Sequence, residues 1–173
     1  MPVITASNRR DLEVHSYPLL VYGLTPLIAL VLQAWLPRLA HGYVFFDLPL
    51  VVTIYFALGR RSPIQGMMLG AGLGIIEDAM THHAIGLNGI AKTIAGFLAA
   101  SMGVRIDVEN HTIRVLMCFL LSLMCSGIYL FINRVLLGMG GDWSWIVELL
   151  KAVGNAIIGF LVFPLLDRQQ IRD

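Results

Sequence analysis

Gly66-Met67-Met68-Leu69-Gly70-Ala71-Gly72-Leu73-Gly74-Ile75-Ile76-Glu77-Asp78 is the stretch that decides how this chain folds. Gly66, Gly70 and Gly74 recur every fourth residue. That spacing puts them on one face of a helix, where a neighbouring backbone can come very close. The ladder ends in the acids Glu77 and Asp78, and an ionised group in lipid needs a partner because its desolvation is expensive. The turn Thr81-His82-His83-Ala84-Ile85-Gly86-Leu87-Asn88-Gly89 follows directly, and the apolar run beyond it contains Lys92. The pattern predicts a helix-packing seam beside a charge that must be neutralised.

Composition sets the class. Of 173 residues, 57% are hydrophobic and only 13% charged, with a mean hydropathy of +0.77. An average soluble domain is about a quarter charged, so the chain reads as an integral membrane protein without a sizeable soluble domain. A formal net charge of +1 argues against a nucleic-acid partner. Cys118 and Cys125 lie seven apart on one face of an apolar run and read as small apolar fillers rather than a redox pair.

Six apolar segments extend outward from the glycine ladder: Tyr17 to Leu36 with Pro26 as a kink, Val44 to Leu58, Ile64 to Met80, Ile85 to Val104, Ile113 to Leu137, and Trp143 to Leu166. A crossing helix needs about 20 residues, so the second, opened by Asp47 and Pro49, is short. The first is too long for a signal-peptide core and lacks a clear small-residue cleavage site, so it is expected to be an uncleaved span. The expected layout is a cytoplasmic segment at 1–16, a six-helix transmembrane domain at 17–167 and a cytoplasmic tail at 168–173. This orientation places Arg9, Arg10, Arg60, Arg61, Arg105, Arg114, Arg168 and Arg172 inside and only Arg38 and Arg134 outside. A five-span arrangement with the second segment re-entrant gives seven against three. With six spans, Trp35, Tyr43, Trp143 and Trp145 all fall at the outer interface, where amphipathic aromatics are favoured. Short loops make consecutive helices neighbours. The longest inner connection, Arg105 to Arg114, is mixed in charge and reads as a solvated turn or a partner-docking loop.

The same topology gathers the intramembrane polar residues toward the outer leaflet. Glu77 and Asp78 close the third span, Lys92 lies about two turns into the fourth, and Glu148, Lys151 and Asn155 form a stripe on the sixth. Asp47 opens the second span on that side, and Arg134 nearly closes the fifth. An ion pair between Asp78 and Lys92, with the lysine stem reaching back to the interface, is the simplest arrangement. A polar cavity receiving another molecule or helix, and a proton relay, are the alternatives. The relay is disfavoured because the inner half lacks polar groups. Glu148 and Lys151, three apart, either pair locally or line the same pocket. The adjacent His82 and His83 share no helix face and complete no zinc pattern. Gly70-Ala71-Gly72-Leu73-Gly74 sits inside an apolar helix, unlike a phosphate loop. No catalytic residue, cofactor or metal is predicted.

Gly70-Ala71-Gly72-Leu73-Gly74-Ile75-Ile76-Glu77-Asp78, with Ile85-Gly86-Leu87-Asn88-Gly89-Ile90-Ala91-Lys92-Thr93-Ile94-Ala95-Gly96-Phe97-Leu98-Ala99, resembles the family of the rod shape-determining membrane protein MreD. That family shows a glycine-spaced span closing on an acid, a Leu-Gly-type turn, and a span ending in Gly-Tyr-Leu or similar. Phe97 stands here where tyrosine is frequent. The specific part is Gly66 to Ala99, while length and span number fit across the chain. The resemblance implies an all-α, six-transmembrane-helix bundle, similar in fold to the S subunits of vitamin-uptake transporters with their outward-facing pocket. It also implies a non-enzymatic subunit of the bacterial cell-elongation machinery in the inner membrane, with both termini cytoplasmic. The implied partner is a bitopic MreC-like protein, and through it an MreB-like filament, a RodA-type polymerase and its transpeptidase, alongside membrane lipids. The alternative expectation is a small-molecule or lipid-binding transport subunit whose pocket is the outer polar cluster.

Overall fold

The computed structural model describes residues 18–39, 46–81, 86–106, 108, 110–138 and 144–169. These form six α-helices and no strand: α1 Leu19–Leu39, α2 Leu48–Arg60, α3 Pro63–Thr81, α4 Leu87–Gly103, α5 His111–Phe131 and α6 Trp145–Asp167. A π turn, Ile132–Leu136, extends α5. Each helix falls on one of the apolar segments, with ends displaced by a few residues. Pro26 lies buried within a continuous α1. The expected segment 1–16, most of the tail at 168–173, and the interfacial Tyr43 and Trp143 lie outside the described residues.

Every consecutive pair of helices packs together, as short connections require. α1, α3, α4, α5 and α6 form an arc in which each touches the next, and α2 runs inside it in contact with all five. The central position explains why α2 is both short and uniformly apolar. Pro49 through Gly59 are all buried, so α2 has no outer face to cover and no need of a polar one. At 1.5 Å per residue its 13 residues span about 20 Å, against about 30 Å of bilayer hydrocarbon. Its ends are set locally. The Asp47 side chain caps it by accepting the Leu50 N–H at 2.9 Å, and Pro49 sits in the first turn, where a missing N–H is harmless. Arg61 ends it in the left-handed conformation, φ 53°, with its N–H on the Ala57 carbonyl.

The tightest joint is between α3 and α4. A Cβ built on Gly66 would strike the Gly96 carbonyl, one on Gly70 the Lys92 carbonyl, and one on Gly74 the Asn88 carbonyl. Two four-residue ladders, 66/70/74 and 88/92/96, therefore lie rung against rung in antiparallel helices. Gly72 faces away and has nothing within 4 Å. The glycine face is an internal seam, fully used by the neighbouring helix of the same chain.

The outside of the arc is apolar. Leu24, Leu27, Ile28, Val31 and Leu32 of α1 are exposed, as are Leu149, Leu150, Val153, Ile157, Phe160 and Leu161 of α6. α5 with its π turn (26 residues, mean hydropathy 2.4) and α6 (23 residues, 2.0) are long and apolar enough to cross a membrane; Leu20–Leu36 and Leu48–Arg60 are apolar but shorter.

Candidate functional site

The site is built around the N-terminus of α2. Lys92, on the same rung as Gly70, is 1% exposed, and its ammonium reaches Asp47 Oδ1 at 2.7 Å. The same ammonium also donates to Glu77 Oε2 of α3, one turn beyond Gly74. One lysine thus ties together the α2 cap, α3 and α4. In a medium of low dielectric such pairing is what makes an ionised side chain tolerable.

The expected pairing of Lys92 with Asp78 is corrected by the structure: the acid on Lys92 is the neighbour, Glu77, together with Asp47. One residue of rotation, about 100° on a helix, turns Asp78 instead toward the start of α4. There its carboxylate accepts the N–H groups of Gly86 at 2.8 Å, Asn88 at 3.1 Å and Gly89 at 3.4 Å, and the Asn88 side-chain amide at 2.8 Å. The cause is local. Gly86 occupies the N-cap position of α4 at φ 103° and has no side chain to accept the first free N–H groups. Asp78 supplies that acceptor from the preceding helix and also meets the positive end of the α4 dipole. Asp78→Ala is therefore expected to leave the Lys92 pairs intact and to lose about 2 kcal/mol through the uncapped helix. A lowered unfolding temperature that is not restored by changing Lys92 would show this.

Asn155 of α6 links the remaining helices. Its Oδ1 accepts the Asp47 N–H at 2.6 Å and its Nδ2 donates to Ser122 Oγ of α5 at 2.6 Å. Gln33 of α1 donates to the Phe46 carbonyl and accepts the Leu48 N–H, each at 3.1 Å. Glu148 and Lys151 pair with each other at 2.9 Å, one turn of α6 above Asn155. These groups surround a cavity of about 280 Å³ to which all six helices contribute. Glu77, Lys92, Glu148, Lys151 and Asn155 line it, whereas Asp78 does not. Asp47, placed by the sequence on the same side, joins them, and Gln33, Ser122 and Tyr129 are members that sequence reasoning missed. The signal was present on α5, where Ser122, Cys125, Ser126 and Tyr129 recur at helical spacing as a polar or small stripe on an apolar helix.

Cys118 and Cys125 are buried free thiols donating to the Asn155 and Ala91 carbonyls, which fits their role as small fillers. Among the described residues no group of three or more His, Cys, Asp or Glu could hold a metal ion. His82 and His83 lie outside those residues. At the opposite end of the bundle, Arg114 of α5 grips Asp167 of α6 with two bonds of 2.8 and 2.7 Å, and Asp167 also accepts the Tyr55 hydroxyl at 2.8 Å. This second clasp joins α2, α5 and α6, and Arg60 stacks over the Tyr22 ring nearby at 4.8 Å. The chemistry on view is ion pairing and hydrogen bonding between helices. No protein-family model, curated protein or solved structure matches the chain.

Proposed function

We propose that the chain is a non-enzymatic scaffold of the MreD kind: a six-span bundle in the bacterial inner membrane that pairs with a bitopic MreC-like protein in the cell-elongation machinery. The observation that carries this is that both lysines of the chain are paired within it. Lys92 is met by Asp47 and Glu77, Asp78 by the amides of α4, and Lys151 by Glu148. Charges spent on one another hold helices in place, which is what a docking platform requires.

Six crossings are supported by the inside-out distribution of polarity. Large apolar side chains cover the outside of the arc, where a water-soluble bundle would be polar, and the ion pairs lie inside beside an apolar core. Hydropathy alone understates α3 and α4, because their glycines and charged groups face each other across the seam rather than lipid. α2, shielded on every side, can be shorter than the bilayer. Arg60, Arg61, Arg105, Arg114 and Arg168 gather at one end of the helices and the acidic cluster at the other, in keeping with cytoplasmic termini. The segment that carries the resemblance, Gly66 to Ala99, is also the tightest joint of the fold.

The test is depletion in a rod-shaped host that encodes the chain, followed by imaging of cell shape and by co-purification with its MreC-like protein. Rods turning to spheres, with the complex recovered from undepleted membranes, is the expected result. Unchanged shape on depletion would overturn the proposal.

A further inference from the structure

The scaffold needs the ion pairs but makes no use of the space beside them. About 280 Å³ is several times the volume of one water and close to the lower end of small-ligand pockets, near 300 Å³. Its charged lining among the described residues is Asp47, Glu77 and Glu148 against Lys92 and Lys151, so one carboxylate is in excess. Lys92 is held by two acids at 1% exposure and cannot swing out to receive an anion. Lys151, with 40% of its side chain exposed, stands at the rim and is already engaged by Glu148. A carboxylate in excess among apolar helices is relieved either by a proton or by a bound cation, and its pull on a cation is stronger there than in water. The Tyr129 ring in the same wall adds a surface that suits an organic cation.

We infer that this cavity, between the cap of α2 and the Ser122 and Asn155 faces of α5 and α6, binds a small organic cation of the quaternary ammonium or guanidinium class. The ligand supplies the missing positive charge beside Glu77 and Asp47, and the amides and hydroxyls around it hold its polar remainder. Anions are turned away by the excess carboxylate, and neutral molecules gain nothing from it. The site is independent of the scaffold role.

Cys125 lines the cavity and Cys118, fully buried, does not, so the chain carries its own reporter. The full-length wild-type protein in lipid nanodiscs is treated with the trimethylammonium-ethyl or the sulfonato-ethyl methanethiosulfonate. Modification of Cys125 is followed by peptide mass spectrometry, each rate being divided by that of the same reagent with a free small thiol. The cationic reagent is expected to react at least about tenfold faster. Choline should slow it, while potassium at equal ionic strength and the neutral isostere 3,3-dimethylbutanol should not. Glu77→Gln should reduce the preference toward unity; the wild-type comparison stands alone if that variant fails to fold. Equal or reversed rates, no modification by either reagent, or equal protection by potassium or by the neutral isostere would each overturn the inference.

Discussion

Lys92→Met is expected to destabilise the folded chain by about 3–5 kcal/mol, the largest effect of any single polar substitution in the bundle. The variant keeps the volume of the side chain and removes only its charge. It leaves the Asp47 and Glu77 carboxylates, drawn together by one ammonium, facing each other with no cation between them. Glu77 is 8% exposed on its side chain and loses its cationic partner. Asp47, 25% exposed, keeps the Leu50 N–H and loses its ion pair. Because α2 touches every other helix, the damage at its cap is not confined to one joint. Adding Glu77→Gln to Lys92→Met should recover more than half of the loss, since the one remaining carboxylate still caps a helix. Adding Asp78→Ala instead should lower stability further, because Asp78 serves α4 and not the lysine. Thermal unfolding of the purified protein in detergent, read for the single and double variants as a cycle, separates these outcomes. A Lys92→Met protein as stable as the parent, or rescue by Asp78→Ala, would overturn this account of the cluster.

That cycle also shows how far the chain could be read before its structure. The helices were legible because apolar runs of helical length are separated by short polar turns. That the charged residues share one end of the bundle was legible because successive antiparallel helices fix which end of each they occupy. The choice between Glu77 and Asp78 was not, since adjacent residues differ by 100° of rotation and only the packing angle of α3 against α4 decides which one meets Lys92. Asp47 was visible as a polar residue opening a short segment, but its role depends on α2 lying at the centre, which only the contacts of the whole bundle establish. A polar cavity was one of the readings the sequence left open, but its size and full lining were not legible: six helices each bring one or more residues to it, and no local pattern encodes a space between elements. The π turn at Ile132–Leu136 left no sequence mark that helical periodicity would register.

The glycine seam gives the other large expectation, and its strength lies in two substitutions of opposite sign on one helix. Gly70→Ala places a methyl group into the Lys92 carbonyl, a backbone atom that cannot rotate aside as a side chain would. α3 and α4 must then separate along their whole length, since Gly66 and Gly74 clasp the same partner above and below. Overpacking costs about 1–3 kcal/mol in ordinary cores, and a clash of backbone with backbone belongs at the upper end or beyond. Separation at this rung also displaces Lys92 from Asp47 and Glu77, so the packing and charge losses add. Gly72→Ala, half a turn away, meets nothing within 4 Å. Relieved of the conformational freedom of glycine, that variant should gain up to about 1 kcal/mol. Measured side by side in the same detergent, the unfolding temperature should fall for Gly70→Ala and hold or rise for Gly72→Ala. If both fell alike, glycine would be serving α3 through flexibility rather than through close approach; if neither changed, the seam would not be the joint that positions Lys92. The rung-against-rung arrangement predicts one further distinction. Gly96→Ala, directed at the Gly66 carbonyl from the opposite helix, should match Gly70→Ala in sign, because a ladder closed from both sides is equally intolerant on each.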